Sequence, residues 1–301
     1  MYTRELENHK YFEVMQNYIA KIEGTLNNQI INGGGQYRAI LKKVYNFYIF
    51  SSYLTNYFKN KKLYAIDEQN SLNILNCKAS LNLFGIYNCL KSGLEQEASI
   101  IFRSLYESYI TMYFILQKDV GLRMKLYYNF SKVERRNNIV NNENLLKRGL
   151  IKSLVISNEE KEFHLKEYEK VKEDYHPKYP YEWTWKIFKV KEKSKNPSLY
   201  DLCKELGEKY EVEYTKTFSV HSISVHGGAI LEDAFRVENS DKDVIANIPK
   251  YTSGILNLGA MSINYYGKII EKHLDFFKVD DYKSIKDFVE LYALEALHTR
   301  L

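Results

Sequence analysis

The chain has 301 residues, 45% of them hydrophobic and 27% charged, with a formal net charge of +5. That composition suits a soluble globular protein with ample material for a core, and four prolines and fourteen glycines argue against a turn-rich β architecture. No run of about 18 uncharged apolar residues exists, which argues against a membrane span.

Met1 to Lys10 is too polar for a secretory signal. From there helical periodicity dominates. An amphipathic first helix over Tyr2 to Ile31 stops at Gly33-Gly34-Gly35, and Gln36 to Asn60 places Ile40, Leu41, Val44, Tyr45, Tyr48 and Phe58 at helical spacing. Asp67 is a candidate N-cap for a helix ending near Gly93. The next helix, Leu94 to Gln117, is apolar or aromatic on nearly every face, the pattern of a core helix. Arg103 and Glu107 lie inside it, four residues apart and therefore on one side. Charges stranded in a core cost several kcal/mol each unless well paired, so the sequence predicts a buried ion pair, kept for fold specificity or for a polar site.

Val120 to Leu150 continues as a helix rich in Asn and Arg. Ser157-Asn-Glu-Glu160 reads as a capping box that opens a charged helix through Tyr175. His176-Pro-Lys-Tyr-Pro180 cannot be a helix interior, so residues 176–197 are expected to form an irregular aromatic and basic loop. Further helices run from Ser198 to about Glu211, from Tyr214 to Val225 before Gly227-Gly228, from Val244 to Leu274 and from Tyr282 to His298. The expected fold class is all-α: a bundle of nine or ten helices in a single domain over 1–301, with the Leu94–Gln117 helix at its centre.

A second polar spot lies near Val220. Thr215, Ser219, Ser222 and His226 follow at steps of four, three and four, which makes one stripe of a helix. Facing Arg103 and Glu107, this stripe would form a polar centre able to bind an anion or to act as acid and base. The alternative is structural: the hydroxyls bond back to the helix, and His226 caps its C-terminus.

The run Gly93-Leu94, Glu97-Ala98, Arg103-Ser-Leu-Tyr-Glu107 resembles a helix of an uncharacterised bacterial family that carries only a domain-of-unknown-function label. Tyr214, Ser222 and His226 resemble a later helix of that family, and Trp183 and Trp185 its preceding loop. The resemblance covers roughly residues 35 to 270. It implies an all-helical protein of unknown biochemistry with a bacterial defence or mobile-element association, and no particular reaction.

Three other chemistries were weighed on the residues. HEPN-type ribonucleases carry an Arg followed by a His four to six residues later, and Arg4-Glu-Leu-Glu-Asn-His9 fits, a match that chance supplies readily in a chain with seven histidines. Glu173-Asp-Tyr-His176 and Glu295-Ala-Leu-His298 have the spacing of di-iron ligands but read as surface helix ends, so no metal and no cofactor are expected. Single-stranded nucleic acid is a candidate ligand for the aromatic and basic loop through Trp183, Trp185, Lys189 and Lys191, where stacking could adjoin phosphate neutralisation; the alternative is a solvated lysine-rich loop whose tryptophans pin it to the bundle. Basic surface patches are also expected at Arg38, Lys42, Lys43, Lys59, Lys61 and Lys62, and at Arg123, Lys132, Arg135 and Arg136.

Three cysteines without metal-like spacing read as reduced thiols of a cytoplasmic protein. The 27 tyrosines suit helix packing, with hydroxyls that need partners when buried. Together these features point to a regulatory or interaction subunit acting through protein contacts, as a homo-oligomer or with a partner protein, with Arg103, Glu107 and His226 as its polar centre. The alternative is a helical nuclease acting on RNA, with His226 as acid or base and Arg103 stabilising phosphate charge.

Overall fold

In the computed structural model, which describes residues 9–23, 35–60, 67–153, 156–176, 183–188, 197–219, 253–279 and 281–298, eleven α-helices and no strand occur among the described residues. Helices α1 (Lys10–Glu23), α2 (Gly35–Asn60), α3 (Asp67–Lys91), α4 (Glu95–Gln117) and α5 (Val120–Lys147) come first. They lead into α6 (Asn158–Glu169), a 3-10 turn at Lys172–Asp174 and a single-turn α7 (Trp185–Phe188). After α8 (Leu199–Leu206) and α9 (Glu208–Glu213), a π-helical turn covers Tyr214–Phe218, and α10 (Ser253–Phe277) and α11 (Tyr282–His298) complete the described fold. The chain is all-α, as its periodicity predicts.

Local chemistry explains the boundaries. Gly93 takes φ +70, and its amide bonds to the Leu90 carbonyl at 3.0 Å while that of Leu94 bonds to Cys89 at 2.9 Å. Those two bonds form a left-handed glycine cap, which ends α3 and lets α4 return alongside it. Ser157 makes the expected capping box, with its hydroxyl accepting from the Glu160 amide and its own amide donating to the Glu160 carboxylate. The predicted helix over Ser198 to Glu211 divides at Gly207, whose φ of +117 is readily available only to glycine. The helix expected through Tyr175 stops at Glu169 and tightens into the 3-10 turn.

Packing centres on two helices. α4 rests against α3, α5, α8 and α10, while α10 reaches α2, α3, α4 and α11. The middle of the bundle is therefore shared by α4 and α10. Phe47, Phe50, Phe102, Phe114, Tyr266 and Phe288 are fully buried within one contiguous hydrophobic cluster. Each such ring contributes about 1.5–3 kcal/mol relative to exposure. Phe47 stacks on Tyr292 at 5.1 Å, and the Tyr292 hydroxyl donates to the Lys43 carbonyl at 3.1 Å. Tyr175 likewise donates to the Leu126 carbonyl at 2.6 Å. No helix among the described residues is long and apolar enough to cross a membrane.

Candidate functional site

One arc of α4 escapes this packing. Gln96, Ile100, Arg103, Ser104, Glu107 and Thr111 recur at steps of three and four and so share a face, and all are half-buried or exposed. Ile100 is 43% exposed. The predicted buried ion pair is therefore not what forms: Arg103 and Glu107 are both half-buried, and no salt bridge joins them. Charges that keep contact with water gain little from pairing, so each is available to something else. Arg103 places its guanidinium 4.6 Å from the centroid of the Phe218 ring, a cation–π contact, and its Nε is buried with no hydrogen-bond partner. Burial pushes the Tyr214 phenol pKa up, with Arg103 opposing and Glu107 adding. Both charges thus act on one hydroxyl.

The segment opposite α4 owes its aim to the π turn. Ser219 donates its amide to the Tyr214 carbonyl, five residues back, so one extra residue is wound into the turn. Phe218 is consequently buried, 5.7 Å from Tyr106 and 4.9 Å from Tyr214 between ring centroids. Of the predicted stripe, Thr215 lies within the turn and Ser219 caps it. Thr215 is exposed and bonds back to the Glu211 carbonyl at 3.1 Å, and Ser219 is half-buried. Among the described residues, Phe218 is what meets Arg103. Ser222 and His226 lie outside the described residues.

Just before the turn, Glu213 is held from two sides. The Tyr109 hydroxyl of α4 donates to its Oε2 at 3.1 Å, and the Lys268 ammonium of α10 to its Oε1 at 3.2 Å. Lys268 also lies 5.2 Å and 4.8 Å from the ring centroids of Tyr109 and Tyr265. Sequence reasoning missed this cluster, because its members are 104 and 55 residues apart and no local pattern links them.

With this geometry established, comparison with known proteins is informative. Residues 72–243 match the model of a family described as a family of unknown function, DUF5677, over more than half of the chain. The chain belongs to DUF5677. No curated protein and no solved structure matches it significantly. The DUF5677 match is narrower than the resemblance over residues 35 to 270 suggests. It takes in most of α3, α4 to α9, the π turn, Ser222 and His226, and so both sides of the Arg103 contact. Lys268 lies beyond it.

Other sequence assignments in this DUF5677 chain are revised by burial. Arg123, expected on a surface patch, is 0% exposed. It folds back from α5 over the end of α4, donating to the Phe114 carbonyl and, at 3.4 Å, to Gln117 Oε1. Its guanidinium sits 3.8 Å from the Phe114 ring centroid and 3.9 Å from Glu205 of α8. Lys132 pairs with Glu167 at 3.4 Å and Arg136 lies over Tyr168, which leaves Arg135 as the exposed cation of that patch. In the first basic patch Lys43 is committed to Glu295, while Arg38, Lys42 and Lys59 are exposed.

Trp183 is only 8% exposed, with its ring 5.7 Å from Phe114 and 5.1 Å from Tyr127. A ring so placed is core and is not presented for base stacking. Trp185 is half-buried with its ring 5.3 Å from His176. Lys189, Lys191, Lys61, Lys62 and Arg4 lie outside the described residues. His9 is half-buried, packs 5.3 Å from Phe288 and accepts the Tyr11 amide on Nδ1. Cys77, Cys89 and Cys203 are all free.

Proposed function

We propose that this DUF5677 protein is a bacterial defence-type or mobile-element-associated subunit that acts mainly through protein contacts. The first of these contacts is with a second copy of itself, burying more than about 1,000 Å² in total. The observation that carries this is the composition of the α4 arc. An exposed aliphatic side chain, Ile100, adjoins an arginine and a glutamate that are not paired with each other. Apolar anchors beside arginines are characteristic of interface centres, and unneutralised charges of both signs suit recognition by complementary groups.

A second reading is favoured by one contact. Phe218 rests on Arg103, and the segment bearing Ser222 and His226 begins two residues later. An atypical helical nuclease acting on RNA would use Arg103 on phosphate charge and His226 as acid or base, whereas a HEPN-like one would use Arg4 and His9. Incubating purified protein with single-stranded RNA and DNA, with and without chelator, separates the two. No cleavage above an Arg103→Ala control is expected. Cleavage lost in both Arg103→Ala and His226→Gln would establish the nuclease, because glutamine keeps a hydrogen bond but cannot titrate.

A further inference from the structure

We propose that Glu213 is a clasp that keeps Arg103 covered. While its carboxylate is held by Tyr109 and Lys268, the chain is wound at π pitch and delivers Phe218 onto the guanidinium; when the clasp opens, Arg103 is freed to bind a carboxylate of a partner protein. The consequence rests on the contact function proposed above, and the clasp itself does not.

The argument starts from the turn. A π turn is rare, occurs mostly as a single turn and gathers at functional sites, so it persists where tertiary contacts fix both of its ends. Here they do. Glu213 immediately precedes it and is anchored to α4 and α10 at 3.1 Å and 3.2 Å. Phe218 ends it, with its ring against Arg103 and Tyr106. Thr217 adds a contact of 3.5 Å to the Tyr265 hydroxyl. Both partners of the Glu213–Lys268 pair are mostly shielded, at 17% and 23% exposure of their side chains, so solvent screening weakens the pair less than it would an exposed one. Without the anchor at Glu213, the turn can relax to ordinary α pitch, which rotates Phe218 off Arg103. An uncovered guanidinium whose Nε–H has no partner is a strong donor to a carboxylate. Ile100, one turn earlier on the same face, supplies the apolar contact that a protein partner would use.

The test is the reactivity of Arg103 toward a dicarbonyl arginine reagent, resolved by mass spectrometry and normalised to exposed Arg135. In the parent protein Arg103 should react slowly. Glu213→Ala should raise its relative rate about tenfold, equivalent to about 1.4 kcal/mol of lost cover, and Lys268→Met should act in the same direction. Glu213→Gln, which keeps an acceptor for Tyr109 but loses the charge, should give a smaller rise, and it carries the test if the alanine variant loses helical signal. Exchanging the two charges, as Glu213→Lys with Lys268→Glu, should restore protection. Unchanged Arg103 reactivity in folded Glu213→Gln and Lys268→Met proteins overturns the clasp. So does a rise shared equally by Arg135. No partner enters this experiment, so a failure of the contact function leaves its outcome untouched.

Discussion

Arg123→Ala is expected to destabilise the fold by about 2–5 kcal/mol, the range for emptying the site of a large buried side chain. The side chain is fully buried, and it joins three elements: the last turn of α4, the first turn of α5 and, through Glu205, α8. Burial depresses its pKa, with Glu205 and Asp119 opposing, so the cation is held by its surroundings and not by water. A guanidinium on the Phe114 carbonyl, in the last turn of α4, also meets the negative end of the helix dipole. Truncation leaves the Phe114 carbonyl without that donor, removes a cation from Glu205 and opens a cavity. Urea denaturation followed by circular dichroism measures the loss. Arg123→Met, which fills the volume without a charge, should cost clearly less. An alanine variant within about 1 kcal/mol of the parent would place the result among ordinary surface substitutions and contradict this description of the corner.

Acid should weaken the protein through His273. This residue is fully buried on α10, with its ring 4.8 Å from Phe58 and 4.8 Å from Phe277. Burial lowers its pKa to about 3, so the folded state holds it neutral while the unfolded chain protonates it near its ordinary value. Its contribution is complete above that value and is lost as pH falls below it, at about 1.4 kcal/mol per pH unit. Relative to a His273→Leu variant, the parent should lose about 2 kcal/mol between pH 7 and pH 5. Glu271 works the other way over the whole of this interval. Burial, then Glu290 and Asp275, push its pKa to about 7, and its deprotonation as pH rises disfavours the fold. The His273 term is therefore read as the difference between parent and variant in parallel denaturation series. A difference independent of pH would contradict a neutral buried imidazole.

The sequence disclosed helices well and faces poorly. Helical period, the capping box at Ser157 and the glycine stop at Gly93 are local signals, and they place α2 to α5 within a few residues of their observed ends and the start of α6. The α4 arc was also there to be read. Gln96, Arg103, Ser104, Glu107 and Thr111 are polar and share one side, with Ile100 the exception, but the dense apolar residues around them suggested complete burial. Arg123 misled in the opposite sense: grouped with Lys132, Arg135 and Arg136 on a helix rich in Asn and Arg it reads as surface, and only the reversal of the chain between α4 and α5 carries it inward. The π turn and the Glu213 clasp had no local signature, because both depend on contacts from α4 and α10. Trp183 reads on composition either as a ligand platform or as a ring that pins its loop to the bundle, and the rings of Phe114 and Tyr127 make it core.

Whether the half-exposed arc of α4 is a contact surface is decided most directly by light scattering on the purified protein and its Ile100→Asp variant over a wide concentration range. The parent should show at least twice the 35.6 kDa chain mass. The variant, with a carboxylate in place of the apolar anchor, should return to 35.6 kDa while keeping its helical signal. A parent that stays at 35.6 kDa throughout, or a variant that keeps the higher mass, would contradict the assignment of this face to protein contacts.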